Sequence, residues 1–100
     1  MYNIGILGAT GAVGEEIINV LQEREFPVAR LRLFASHRSA GRRLSWQNQS
    51  VIVEDIEKAD LTGLDIAFFS AGSATSKRYV ARFIQAGIVV IDNTSAFRMQ

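Results

Sequence analysis

The sequence predicts an α/β domain built on a largely parallel sheet, and three observations carry that prediction. Short apolar runs that suit buried strands alternate with stretches whose apolar residues recur every three or four positions. Glycine closes or follows two of the strand candidates, at Gly8 and Gly72, where the chain must turn into a helix. Apolar residues make up 48% of 100 residues, enough for the core of one compact domain.

The elements follow in order. "YNIGILG" (2–8) is a short apolar run ending in glycine, the pattern of a strand covered on both faces. From Ala12 to Arg24 the period changes, and Val13, Ile17, Val20 and Leu21 form one helical stripe. Glu15 and Glu16 fall in its first turn, where negative charge suits the helix dipole. Phe26-Pro27 ends it, because a residue before proline avoids helical angles. "RLRLFAS" (30–36) alternates as a second strand, and "SHRSAGRR" is a polar loop. "LSW" (44–46) and "SVIVEDI" (50–56) read as a hairpin around "QNQ". "EKADLTG" is a connection, and "DIAFFSA" (65–71) is another buried strand. A helix over Ser76–Ala86 takes its stripe from Val80, Phe83 and Ile84, with Ser73, Thr75 and Ser76 as candidate caps and Gly87 as a left-handed C-cap. "IVVIDN" (88–93) is the last strand.

Composition excludes several functions. The formal charge of +1 gives no bulk attraction to nucleic acid or a membrane surface. Without cysteine there is no disulfide, thiolate metal site or cysteine nucleophile in these residues, and no metal site or catalytic residue is assigned within them. No apolar run approaches the roughly 20 residues of a membrane span. The N-terminus enters a strand pattern at once instead of a signal pattern, which makes a cytoplasmic location the expectation.

Ligands of parallel sheets bind beyond the carboxyl ends of the strands, here 8–14, 35–39, 70–75 and 92–98. The first of these, "GATGAVG", spaces Gly8, Gly11 and Gly14 three apart between a strand and a helix. Such glycines permit the turn, the approach of a phosphate and close helix packing, while the helix N-terminus offers N–H groups to a pyrophosphate. Thr10 adds a hydroxyl. The domain is therefore read as Rossmann-like, with helices on both faces of the sheet, and as binding a dinucleotide. At the end of the second strand, where an acid would select NAD, stand Ser36, His37, Arg38 and Ser39. A guanidinium between hydroxyls fits a 2′-phosphate and points to NADP, although a solvated basic loop would look the same. His37, the single histidine, is read as a bystander beside that basic cluster. Ala71 and Gly72 are small enough for a cofactor to lie against their backbone. Asn93, Thr94, Ser95 and Arg98 can hold an anion, or can make an Asx turn with a surface arginine.

Together "GATGAVG", "SHRSAG" (36–41), "FFSAG" (68–72) and "VIDNTSAFRM" (90–99) resemble the N-terminal part of the aspartate-semialdehyde dehydrogenases. The resemblance implies an NADP-dependent enzyme that interconverts aspartyl phosphate and aspartate semialdehyde on the route to lysine, methionine and threonine. In the oxidative direction a cysteine thiolate attacks the aldehyde, hydride passes to NADP, and phosphate releases the acyl phosphate. By position, the resemblance implies that Gly8, Thr10, Gly11, Ala12 and Val13 hold the pyrophosphate region. Ser36, Arg38 and Ser39 would take the ribose phosphate, Ala71, Gly72 and Thr75 would line the cofactor cleft, and Asn93 and Arg98 would bind phosphate. The family's nucleophile, histidine base and dimer interface would lie beyond residue 100. Residues 1–100 are then a truncated NADP-binding domain of a homodimeric enzyme, without turnover alone. His37 stands where the family commonly has a small residue, and Gln100 where an acid often follows. Rival readings are a sister reductase acting on an acylated glutamyl phosphate and a non-catalytic NADP-sensing module. An extended short-chain dehydrogenase lacks support, since Tyr79 is followed four residues on by Phe83, not lysine.

Overall fold

A computed structural model describes residues 1–92. Six strands and two helices alternate: β1 (Tyr2–Leu7), α1 (Ala12–Glu23), β2 (Val28–Ala35), β3 (Arg43–Trp46), β4 (Gln49–Asp55), β5 (Ile66–Phe69), α2 (Ser73–Gln85) and β6 (Val89–Asp92). They form one sheet in the order β3-β4-β2-β1-β5-β6. Among the described residues only the β3–β4 hairpin is antiparallel. Its two-residue turn has positive φ at both Gln47 and Asn48, the twist that matches the flanking strands.

Period-two alternation sorts the core onto two faces. Ile4 and Ile6 of β1 join Leu31 and Leu33 of β2 and meet Ile17, Ile18 and Leu21 of α1. Leu7, Phe34, Ala67 and Phe69 point the other way and meet Tyr79 and Phe83 of α2. The helices thus cover opposite faces, and β1, buried on both from Ile4 to Leu7, is apolar over that stretch. Gly5 leaves room for an aromatic neighbour, since a Cβ there would stand 2.9 Å from the Phe34 ring. Phe83 is fully buried and meets Phe69 and Phe34 edge-on, at ring separations of 4.8 and 6.2 Å.

Both helices end in the same way. In α1 the Phe26 N–H donates to the Leu21 carbonyl and Glu25 to Gln22, with Glu25 at φ 50°. In α2 Ile88 donates to Phe83 and Gly87 to Ile84, with Gly87 at φ 78°. This is the Schellman arrangement. The first helix is closed by left-handed Glu25, two residues ahead of Pro27.

Three local expectations give way to packing. Helix α2 begins at Ser73 with Gly72 as N-cap, not at Ser76. Ser76 lies inside the first turn, buried, and its hydroxyl donates back to the Ala71 carbonyl. Val20 and Ile84, expected in the helical stripes, are exposed, while Ile18 and Tyr79 take those buried positions. Among the described residues no helix is long and apolar enough to cross a membrane.

Candidate functional site: a cleft beyond the strand ends

The strand order reverses at β1, because the chain moves from β1 towards β2 and later returns to place β5 on the other side. A crevice opens at such a point. Here it is a cleft of about 660 Å³ lined by the turn after β1 (Gly8, Thr10, Gly11), the loop after β2 (Ser36, His37, Ser39), the turn after β4 (Ile56, Glu57) and the start of α2.

The glycine spacing has physical causes in two places. Gly8 has φ +87°, and a Cβ on it would stand 2.6 Å from the Ala71 amide nitrogen, so the turns after β1 and β5 touch backbone to backbone. The Ser70 hydroxyl ties the same two turns, donating to the Leu7 and Gly8 carbonyls at 2.9 and 3.2 Å. A Cβ at Gly14 would strike the Gly8 carbonyl oxygen at 2.4 Å, so α1 sits directly on the turn that precedes it. Gly11 differs. A Cβ there meets only the Gly8 carbonyl oxygen, at 3.6 Å, so nothing in the protein demands glycine at that position. The space it leaves opens into the cleft.

Gly11 is also the N-cap of α1, and Gly72 is the N-cap of α2; neither helix has a side-chain cap. Both N-cap glycines line the same cleft, so two helix starts with partial positive charge converge on it. A glycine cradle at an uncapped helix start fits a dinucleotide pyrophosphate. Among the described residues no group of three or more His, Asp or Glu could hold a metal ion.

Of the residues expected from the sequence, Gly8, Thr10, Gly11, Ser36, Ser39, Ala71, Gly72 and Thr75 line the cleft together. Ala12, Val13 and the exposed Arg38 are not among its lining. Asn93 and Arg98 lie outside the described residues.

The structure adds groups that spacing did not reveal. Glu57 receives the Tyr79 hydroxyl at 2.5 Å and the Arg78 guanidinium at 2.7 Å, both on Oε1. The hydrogen bond to Glu57 and then burial hold the Tyr79 phenol above its ordinary value. Arg82 fixes the turn that carries Glu57 by donating to the Ile56 and Ala59 carbonyls at 2.7 and 2.8 Å. Pairing of Ala35 with Asp55 places an acid beside the end of β2, where the sequence alone shows none. The Asp55 carboxylate accepts the Glu57 N–H at 3.0 Å and meets His37 Nδ1 at 3.1 Å. Desolvation pushes its carboxyl up, but the Glu57 N–H, His37 and the nearby Lys58 charge together outweigh that and hold it below the ordinary value.

Sheet order, glycine turn and convergent helix starts define a dinucleotide-binding domain of Rossmann type. Comparison with known families is more specific, since the semialdehyde dehydrogenase NAD binding domain matches residues 3–100. The chain belongs to that family. It is 49% identical over 98 residues to the aspartate-semialdehyde dehydrogenase of Mycolicibacterium smegmatis, covering 98% of this chain and 28% of that protein. The crystal structure of aspartate semialdehyde dehydrogenase II from Vibrio cholerae, complexed with ASA, superposes with a TM-score of 0.92 at 49% identity, over 98% of this chain and 32% of that one. The Candida albicans aspartate semialdehyde dehydrogenase with NADP superposes with a TM-score of 0.73 at 25% identity, over 98% of this chain and 31% of that one. The chain therefore spans less than a third of the length of these relatives.

Proposed function

We propose that this chain is the NADP-binding part of an aspartate-semialdehyde dehydrogenase, which interconverts aspartate 4-semialdehyde, phosphate and NADP⁺ with 4-aspartyl phosphate and NADPH. The observation that carries this reading is the open cradle at Gly11, where an uncapped helix start faces the cleft. The relatives supply the reaction class.

In this reading the first-turn N–H groups of α1, with Gly8, Thr10, Gly11, Ala12 and Val13, hold the pyrophosphate. Ser36, Arg38 and Ser39 take the 2′-phosphate, and Ala71, Gly72 and Thr75 support the rest of the cofactor. Asn93 and Arg98 bind substrate phosphate, the arginine as a forked cation for a tetrahedral anion. When bound, the nicotinamide supplies hydride acceptance and donation. The chain has no cysteine, so the thiolate comes from the remainder of a longer protein, which also supplies the dimer contacts. Residues 1–100 act as the cofactor domain of that cytoplasmic homodimer.

Calorimetric titration of the chain with NADP and NAD tests the cofactor assignment. NADP is expected to bind more tightly, and Arg38→Ala is expected to weaken NADP while leaving NAD unchanged. Equal affinity for the two, or full NADP affinity in Arg38→Ala, would refute it.

A further inference from the structure

We propose that His37, seated on Asp55, selects NADP over NAD by taking up a proton when the 2′-phosphate arrives. The inference rests on the reading of the cleft as an NADP site.

An acid at the end of the second strand normally holds the ribose 2′-hydroxyl and repels a 2′-phosphate. The sheet register brings Asp55 to that location, which by itself would favour NAD. Both of its oxygens are already engaged, Oδ1 by the Glu57 N–H and Oδ2 by His37. With those bonds and only 12% exposure, the acid is less open to a ribose hydroxyl than a free carboxylate would be. His37 stands on the cleft side of the pair, its side chain 83% exposed and Asp55 only 12%.

The imidazole then does what a small residue at position 37 could not. A carboxylate only accepts, so Nδ1 carries the proton in that bond and Nε2 is the nitrogen left for a ligand. In the neutral ring Nε2 is an acceptor and offers nothing to a phosphate dianion. Once protonated, the ring donates from both nitrogens and bridges carboxylate to phosphate. NAD, with a hydroxyl in place of the phosphate, gives the ring no comparable reason to charge.

The surrounding charges leave this role to His37. Arg38 adjoins it on its own loop, with Arg42 and Arg43 further along, and all three are permanent cations. From the end of β4 come Asp55, Glu57 and Lys58. Glu57 is answered by Arg78 and Tyr79 of α2. His37 is thus the one imidazole among these groups, and it lines the cleft; imidazole is the side chain that exchanges a proton most readily in the physiological range.

His37 is the chain's single histidine, so its ring Cε1–H resonance reports the titration without ambiguity. Proton NMR titrations of the chain alone, with saturating NADP and with saturating NAD are compared. The His37 pKa is expected to rise by about one unit with NADP and to stay unmoved with NAD, which corresponds to about a tenfold gain in NADP over NAD preference as pH falls through that range. The 2′-phosphate itself gains a proton near about pH 6, so the preference is read against His37→Gln, in which the gain should vanish. An unchanged His37 titration with NADP bound, or a His37→Gln chain that keeps the wild-type pH profile, would overturn the inference while the NADP site stands. No NADP binding at any pH would overturn the reading of the cleft and the inference with it.

Discussion

A methyl group at Gly14 would lie 2.4 Å from the Gly8 carbonyl oxygen, 2.7 Å from Ala9 Cα and 2.8 Å from the Ala9 carbonyl carbon. All three are backbone atoms and cannot rotate away, so α1 or the turn must move by about 1 Å to restore ordinary contact. Two effects oppose each other in Gly14→Ala. Alanine favours the helix by up to about 1 kcal/mol. Overpacking costs about 1–3 kcal/mol, and a clash among backbone atoms belongs at the upper end. Net destabilisation of about 1–2 kcal/mol is expected, which lowers the melting temperature of a domain this size by roughly 5–15 °C. Thermal unfolding followed by far-ultraviolet circular dichroism measures it, with Gly11→Ala as the internal comparison. At Gly11 the methyl meets nothing but the Gly8 carbonyl oxygen, at 3.6 Å. That variant should lose about 1 kcal/mol or less through its weaker N-cap, yet lose cofactor affinity because the methyl enters the cleft. A Gly14→Ala chain that melts at or above the wild-type temperature would show that α1 does not press on the turn, and the packing argument would fail.

Two further outcomes follow from the core and from the acid beside the end of β2. Phe83→Ala removes a fully buried ring between Phe34 and Phe69, a loss of about 3–5 kcal/mol against a total of roughly 5–15 kcal/mol. Urea unfolding should show a sharply lowered midpoint or no cooperative transition, and an unchanged midpoint would contradict the two-face core. Asp55 has a folded-state pKa below its unfolded value, so its contribution is complete above about pH 4 and is lost as pH falls through the lowered value. Melting temperatures measured from neutral to strongly acidic pH should fall less steeply in Asp55→Asn than in the wild type; parallel profiles would contradict the assignment.

The sequence made the sheet readable wherever one residue's surroundings repeat along the chain. Ile4 and Ile6 pack on one face and Leu7 on the other, and a short apolar run reports that two-sided burial directly. Helix starts were less legible. Ser76 has the chemistry of a cap, but it is buried one turn inside α2, where its hydroxyl bonds back to Ala71. The exposed Val20 and Ile84 show that helical spacing gives the period of an apolar face without fixing its centre. In the cleft, Gly8, Gly11 and Gly14 were legible because they act on neighbours a few residues away. Glu57, Arg78 and Tyr79 were not, because the crossover that joins the turn after β4 to α2 leaves no mark in spacing. The same holds for His37 and Asp55, 18 residues apart and joined through the pairing of β2 with β4.

The glycine N-caps of α1 and α2 make ligand and helix cap rivals for one set of amides. An aspartate at position 11 would satisfy those amides from within, as N-cap residues do. It would strengthen the helix and leave a carboxylate of the chain itself where the pyrophosphate belongs. Glycine at this position keeps the helix unfinished, so that an arriving cofactor completes it.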